Sequence, residues 1–224
     1  MTKILNKCTN LFILILSVLM CTLFVACDSP AKQKTEIKAG DTALLTIFTF
    51  DGKKESTLGL MNLGHSFLSL ENISNEPITI AGVEVKAGET LAIGTWSISS
   101  HFGVWYNVES NYIAEYNKYD GRLSITTGIT NDDVDKLTNY INTHDYWTPL
   151  TNCSCFALNM WNEVVSDGEK LPKPLIYNPA HIAKCIRNFD SYDTNKELIT
   201  DSKFYYFADS KPVFHYMEND YVAV

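Results

Sequence analysis

The chain has 224 residues, 46% hydrophobic and 20% charged, and its 26 acidic against 18 basic side chains give a formal net charge of −8. That apolar content suits a folded core and excludes a chain disordered throughout. The acidic balance excludes a nucleic-acid binder working through a basic surface, and also a second, electrostatic contact with an anionic membrane.

Lys3 and Lys7 precede an apolar run from Leu11 to Val25, which gives way at Ala26-Cys27 to the polar stretch DSPAKQKTE. A positive start, a short apolar middle and a small exit residue read as a secretory signal. A run of about 15 residues is short for a helix that crosses a bilayer, which needs roughly 20. Phe24-Val25-Ala26-Cys27 resembles the lipobox of bacterial lipoproteins, with Phe where Leu is usual and Leu23 just before it. The resemblance implies that residues 1–26 are a signal peptide and that Cys27 is acylated. The mature protein is then anchored through an N-terminal lipid to the extracytoplasmic face of the cell membrane. Its chain has 198 residues, and loss of the two lysines takes the net charge to −10. Residues 27–40 are expected to form the lipidated cysteine and a flexible tether, and residues 41–224 a single domain. With Cys27 lipidated, Cys153, Cys155 and Cys185 remain. Three thiols outside the cell do not make a disulfide framework.

Along the domain, TALLTIFTF (42–50) is strand-like and ends at the turn signal Asp51-Gly52. HSFLSLEN (65–72), ITIAGVEV (78–85) and TLAIGTWS (90–97) follow as strands, and a further strand-like pair surrounds GVWYNVES (103–110) and GRLSITTGI (121–129). The period then changes. Thr130 or Asn131 caps a helix that opens with Asp132, Asp133 and Asp135 and buries Val134, Leu137 and Ile141. A second helix begins near Cys153 and stops before Gly168; a third begins at Asn178-Pro179, with Cys185 on its inner face. The tail from Phe204 offers one or two closing strands. Strands in the first half and helices in the second predict an α+β fold, an antiparallel sheet packed against helices.

Two segments carry chemistry. His65 opens an alternating strand, and Cys153 lies at the start of an amphipathic helix. The positive end of a helix dipole lowers a thiol's pKa and favours the nucleophilic thiolate. A facing imidazole withdraws the proton, and the cysteine's own N–H, free at a helix start, is an oxyanion donor. Cys155, about 200° further round the helix, is expected in the core. Cys-x-Cys lacks the second clustered pair of a zinc site, so neither a metal nor a cofactor is expected. Trp105-Tyr106 stands in an exposed-looking turn region, where packing in the core or at its rim is expected ahead of lining a groove for a sugar or peptide.

Gly64-His65 with its alternating strand, followed by Asn152-Cys153-Ser154-Cys155-Phe156 opening a helix, resembles the circularly permuted papain-like cysteine hydrolases. These are related to NlpC-type peptidases and include the lecithin:retinol acyltransferase-like proteins. The resemblance covers roughly residues 60–165. It implies Cys153 as nucleophile, His65 as general base and a thiol-protease type of chemistry through a covalent acyl-enzyme. Acyltransferase-like members carry a second histidine about a dozen residues after the first; here position 77 is Pro. The group orienting His65 is then Thr95 or Ser97, Asn107, or a backbone carbonyl. The expected activity is that of a lipid-anchored amidase or peptidase of the cell envelope, acting on peptidoglycan peptides or another peptide substrate. The alternatives are a lipid acyltransferase or thioesterase and a non-catalytic ligand-binding lipoprotein.

Overall fold

The computed structural model describes residues 37–52 and 64–216. The signal segment, Cys27 and most of the tether lie outside the described residues. Ten strands and four helices are described: β1 (Ala43–Phe50), β2 (His65–Asn72), β3 (Ile78–Ile80), β4 (Val83–Val85), β5 (Thr90–Ile98), β6 (His101–Tyr106), α1 (Val108–Tyr116), β7 (Leu123–Ile129), α2 (Asn131–Thr143), α3 (Cys153–Val164), α4 (Pro179–Ile186), β8 (Asp193–Thr194), β9 (Phe204–Ala208) and β10 (Lys211–His215). Eight strands form one sheet in the order β10-β9-β6-β5-β2-β1-β7-β8, with every neighbouring pair antiparallel. The architecture is α+β, as the order of strands and helices predicts.

The central strands are buried on both faces, which is why β1 and β2 are nearly continuous runs of apolar and hydroxyl side chains. Alternation divides them: Leu45, Ile47, Leu68 and Leu70 join the main core, while Phe48 and Phe67 point the other way into a smaller one with Ala92. The main core is covered by α3 lying on β2, β5 and β1, by α4 on β1 and β7, and by α2 against α3. Trp161, Met160 and Phe156 of α3 are buried in it. The other face is closed by α1 against β5, with Trp96, Trp105 and Val108 between them.

Register places the site. β1 runs from Ala43 to Phe50, and Phe50 pairs with His65, the first residue of β2. His65 therefore sits at one end of the sheet, where the first turn of α3 arrives.

Three local expectations need correction. Residues 78–85 form a separate hairpin of two three-residue strands, because Ala81 (φ 45°) and Gly82 (φ 81°) turn the chain back. Residues 103–110 do not continue as a strand. Asn107 adopts a left-handed conformation (φ 66°) after Tyr106, and α1 begins at Val108. Trp105 and Tyr106 are fully buried, being the end of an inner strand and not an exposed turn. Among the described residues no helix is long and apolar enough to cross a membrane.

The acidic helix start is realised as a capping box. The Asp133 N–H donates to the Thr130 hydroxyl, and the Thr130 N–H donates to the Asp133 carboxylate at 3.1 Å. Thr130→Ala is expected to lower stability by about 1 kcal/mol; a shifted urea midpoint at unchanged slope is the check.

Candidate active site

Asn152 is the N-cap of α3. Its side-chain oxygen accepts from the Ser154 N–H (3.0 Å) and the Cys155 N–H (3.1 Å). Its amide nitrogen donates to the Tyr177 and Pro149 carbonyls, tying the helix start to both flanking loops. Four N–H groups lack intrahelical partners at a helix start. Asn152 satisfies two of them, and the Cys153 N–H has no partner among the described residues. The Asn-Cys-x-x-Phe pattern thus has a physical content: a cap, a nucleophile beside a spare N–H donor, and Phe156 seated in the core.

His65 is placed from the other side. Gly64 enters β2 in a left-handed conformation (φ 72°), pressed so closely on the strand before it that a Cβ would stand 2.2 Å from the Phe50 carbonyl oxygen. The imidazole is boxed by Trp96 (ring centroids 4.3 Å apart), Tyr119 (5.6 Å) and Phe67 (5.7 Å). Its Nε2–H donates to Glu109 Oε1 at 2.9 Å, and its ring also hydrogen-bonds the Cys153 thiol, which leaves Nδ1 for the sulfur. Both ring nitrogens are therefore engaged, one by the nucleophile and one by an acid.

Glu109 is the orienting group, and the sequence reading missed it. It lies in the first turn of α1, fully buried, and its Oε1 also accepts from Trp96 Nε1 at 2.7 Å. The tryptophan N–H can only donate, so this oxygen is an acceptor toward both partners. Gly94 makes the room: a Cβ there would stand 1.9 Å from Glu109 Oε1. The expected orienting residues serve elsewhere. Asn107 accepts from the Ala92 N–H and donates to the Lys203 carbonyl, while the Thr95 hydroxyl is buried without a partner among the described residues. Neither Thr95 nor Ser97 finds a ring nitrogen of His65 available.

The charges are coupled. Burial alone would lower the His65 pKa, but the facing Cys153 sulfur and then Glu109 overcome it and raise the imidazole to about 10. Burial alone would raise the Cys153 thiol. The His65 charge and hydrogen bond, the Ser66 N–H and the Ser154 hydroxyl bring it below the ordinary thiol value instead. A row of hydroxyls runs beside the pair: Thr49 donates to the Pro179 carbonyl, so Ser66 donates to Thr49 and Ser154 donates to Ser66. The arrangement favours a thiolate–imidazolium pair over an isolated thiol, at a residue that is half-buried.

Cys155 behaves oppositely. It is half-buried and lines a surface cavity in place of the expected core position, and burial pushes its thiol up. Cys185 is fully buried on the inner face of α4, with its sulfur 3.4 Å from His181 Nε2. Cys153 and Cys155 are free thiols. Another histidine, His101, pairs with Asp145 at 2.7 Å. Asp145 also accepts from the Val104 N–H, latching the loop before the nucleophile onto β6. No group of three or more His, Cys, Asp or Glu side chains among the described residues is placed to hold a metal ion. Comparison with family models, curated proteins and solved structures returns no match.

Iodoacetamide is expected to label Cys153 faster than Cys155 at pH 6.5, where an ordinary thiol is protonated. Both His65→Ala and Gly94→Ala, the latter by displacing Glu109, are expected to slow Cys153 toward the rate of Cys155. Mass-spectrometric peptide mapping across pH 5–9 gives the profiles; equal, slow labelling of both thiols in the unsubstituted protein contradicts the ion pair.

Proposed function

We propose that this chain is a cysteine hydrolase of the cell envelope, lipid-anchored through Cys27, which cleaves an amide bond through a covalent acyl-enzyme formed on Cys153. The observation that carries the reading is His65 placed between Cys153 and Glu109, a nucleophile, a base and an orienting acid drawn from three separate elements. The second histidine that acyltransferase-like proteins use is missing here, and Glu109 fills that role.

In the reaction, the Cys153 thiolate attacks the carbonyl carbon, and the carbonyl π electrons move onto oxygen. The Cys153 N–H at the helix start stabilises that oxyanion. Collapse breaks the C–N bond as His65 delivers its Nδ1 proton to the departing nitrogen, leaving a thioester. Water then attacks the thioester carbon while Nδ1 accepts its proton, and the C–S bond breaks to restore the thiolate. Glu109 keeps the ring in position and stabilises its charged form throughout. Peptidoglycan stem peptides are the abundant amides within reach of an enzyme held at the cell surface. An ester is open to the same steps, with the Nδ1 proton delivered to the departing oxygen so that an alcohol leaves.

Purified peptidoglycan and simple acyl esters incubated with the protein are expected to yield new amine and carboxyl ends from the former. Cys153→Ser should yield none, and Glu109→Gln should lower kcat by about 10²-fold or more with KM little changed. Absence of any product from both substrate classes, with the fold intact, overturns the reading in favour of a non-catalytic binding protein.

A further inference from the structure

Two loops flank the start of α3, beside Cys153. The Asn152 amide nitrogen donates to both, to the Pro149 carbonyl at 3.3 Å and the Tyr177 carbonyl at 3.0 Å, so the loops lie next to each other at the mouth of the site. Leu150 belongs to the first, Leu175 and Ile176 to the second. Leu150 (80% exposed) and Leu175 (79%) are the two most exposed large apolar side chains among the described residues, and Ile176 is 70% exposed. Single exposed aliphatics are ordinary, whereas a cluster of them marks a contact surface.

Neither loop needs these side chains to hold its shape. The Thr148 hydroxyl bonds both the N–H and the hydroxyl of Thr151, which closes the turn that carries Leu150. In the second loop Pro172 and Pro174 fix φ. Leu171 exchanges two hydrogen bonds with Asn162, the Pro172 carbonyl accepts from His181, and the Ile176 carbonyl accepts from Asn178. Backbone held in this way keeps its side chains in place before a ligand arrives, which spares the ligand the entropy of ordering them.

Charge points the same way. The chain has 26 acidic side chains, yet residues 146–162 carry no charge and residues 171–179 carry only Lys173. Asp51, just past the end of β1, is paired with Arg187 at 2.9 Å. A charged group would lose hydration against such a rim, while an aliphatic group gains by leaving water. Three side chains suit one aliphatic group better than a membrane, and the net negative charge of the chain opposes contact with an anionic lipid surface.

We infer that Leu150, Leu175 and Ile176 form a subsite for an aliphatic side chain of a peptide substrate, next to the amide cut at Cys153. The inference deepens the hydrolase reading and rests on it for the bond that is cut. The aliphatic contact holds the substrate near the sulfur and takes no part in proton transfer.

The test follows alkylation of Cys153 in the full chain at pH 8, where an ordinary thiol also reacts. Iodoacetamide is compared with its N-propyl, N-hexyl and N-dodecyl derivatives. In each, the thiolate displaces iodide, the C–S bond forming as the C–I bond breaks. The Cys153 rate, divided by that of glutathione with the same reagent, is expected to rise about tenfold or more up to N-hexyl and then level, since burying one methylene is worth up to about fourfold. Leu175→Ser and Ile176→Ser are expected to remove most of that rise, and Leu175→Met to keep it. A series as flat as that of glutathione, or one that Leu175→Ser leaves intact, overturns the subsite. A rise that continues through N-dodecyl assigns the surface to a lipid chain and overturns the peptide side chain as its occupant. Matched peptides with leucine or glutamate beside the scissile amide are expected to differ at least tenfold in kcat/KM, in favour of leucine. Leucine cleaved no better than glutamate overturns the inference. Cleavage of neither peptide, with the alkyl series as expected, overturns the hydrolase reading alone.

Discussion

A carboxyl group taken wholly out of water is costly unless hydrogen bonds replace its solvation; one Glu109 oxygen accepts from Trp96 and His65, while the other is buried without a partner among the described residues. Much of the described structure follows from accommodating it. Gly94 has no side chain because the carboxylate occupies that space. Asn107 takes a left-handed conformation so that the chain leaves β6 and immediately begins the helix that carries the acid. The same carboxylate keeps one imidazole nitrogen committed, so the other faces the sulfur. The histidine's position, its charge and the thiol's acidity are three readings of a single buried contact.

Neighbouring cysteines show how strongly placement outweighs residue type. Cys153 and Cys155 share a helical turn, yet one is drawn down by an imidazolium, an N–H and a hydroxyl, and the other is pushed up by burial. The helix's own rotation separates them, sending the first toward the end of the sheet and the second toward the gap beside α2. Both lie in the first turn of the helix, and the difference in thiol acidity follows what each sulfur faces.

The parts of the molecule legible in the sequence are those specified by local pattern. Alternation gave β1, β2 and β5, the acid-rich start with Thr130 gave α2, and Asn152 and Asn178 marked the starts of α3 and α4. His65 and Cys153 were legible because each stands at the end of a recognisable element. Glu109 was not. Its helix has a weakly amphipathic sequence and follows directly on a strand, with no turn residue other than asparagine between them. The only local signs were Asn107 and Asn117, residues tolerant of positive φ bracketing a helix-length segment. The fate of Cys155 was misjudged for a related reason: helical rotation gives an angle, and only the neighbouring helix decides whether that angle faces packing or open space.

The direction of β1 has a further consequence. The chain enters the sheet at Ala43 and reaches the catalytic end at Phe50, which pairs with His65, about 24 Å away at the usual strand rise. Polypeptide arriving from upstream of Ile37 thus joins the domain at the pole opposite the nucleophile. Under the proposed anchoring through Cys27, Cys153 stands the height of the sheet away from the end at which the chain joins the domain; the length of the tether then sets its reach, and the strand sets the direction in which it faces.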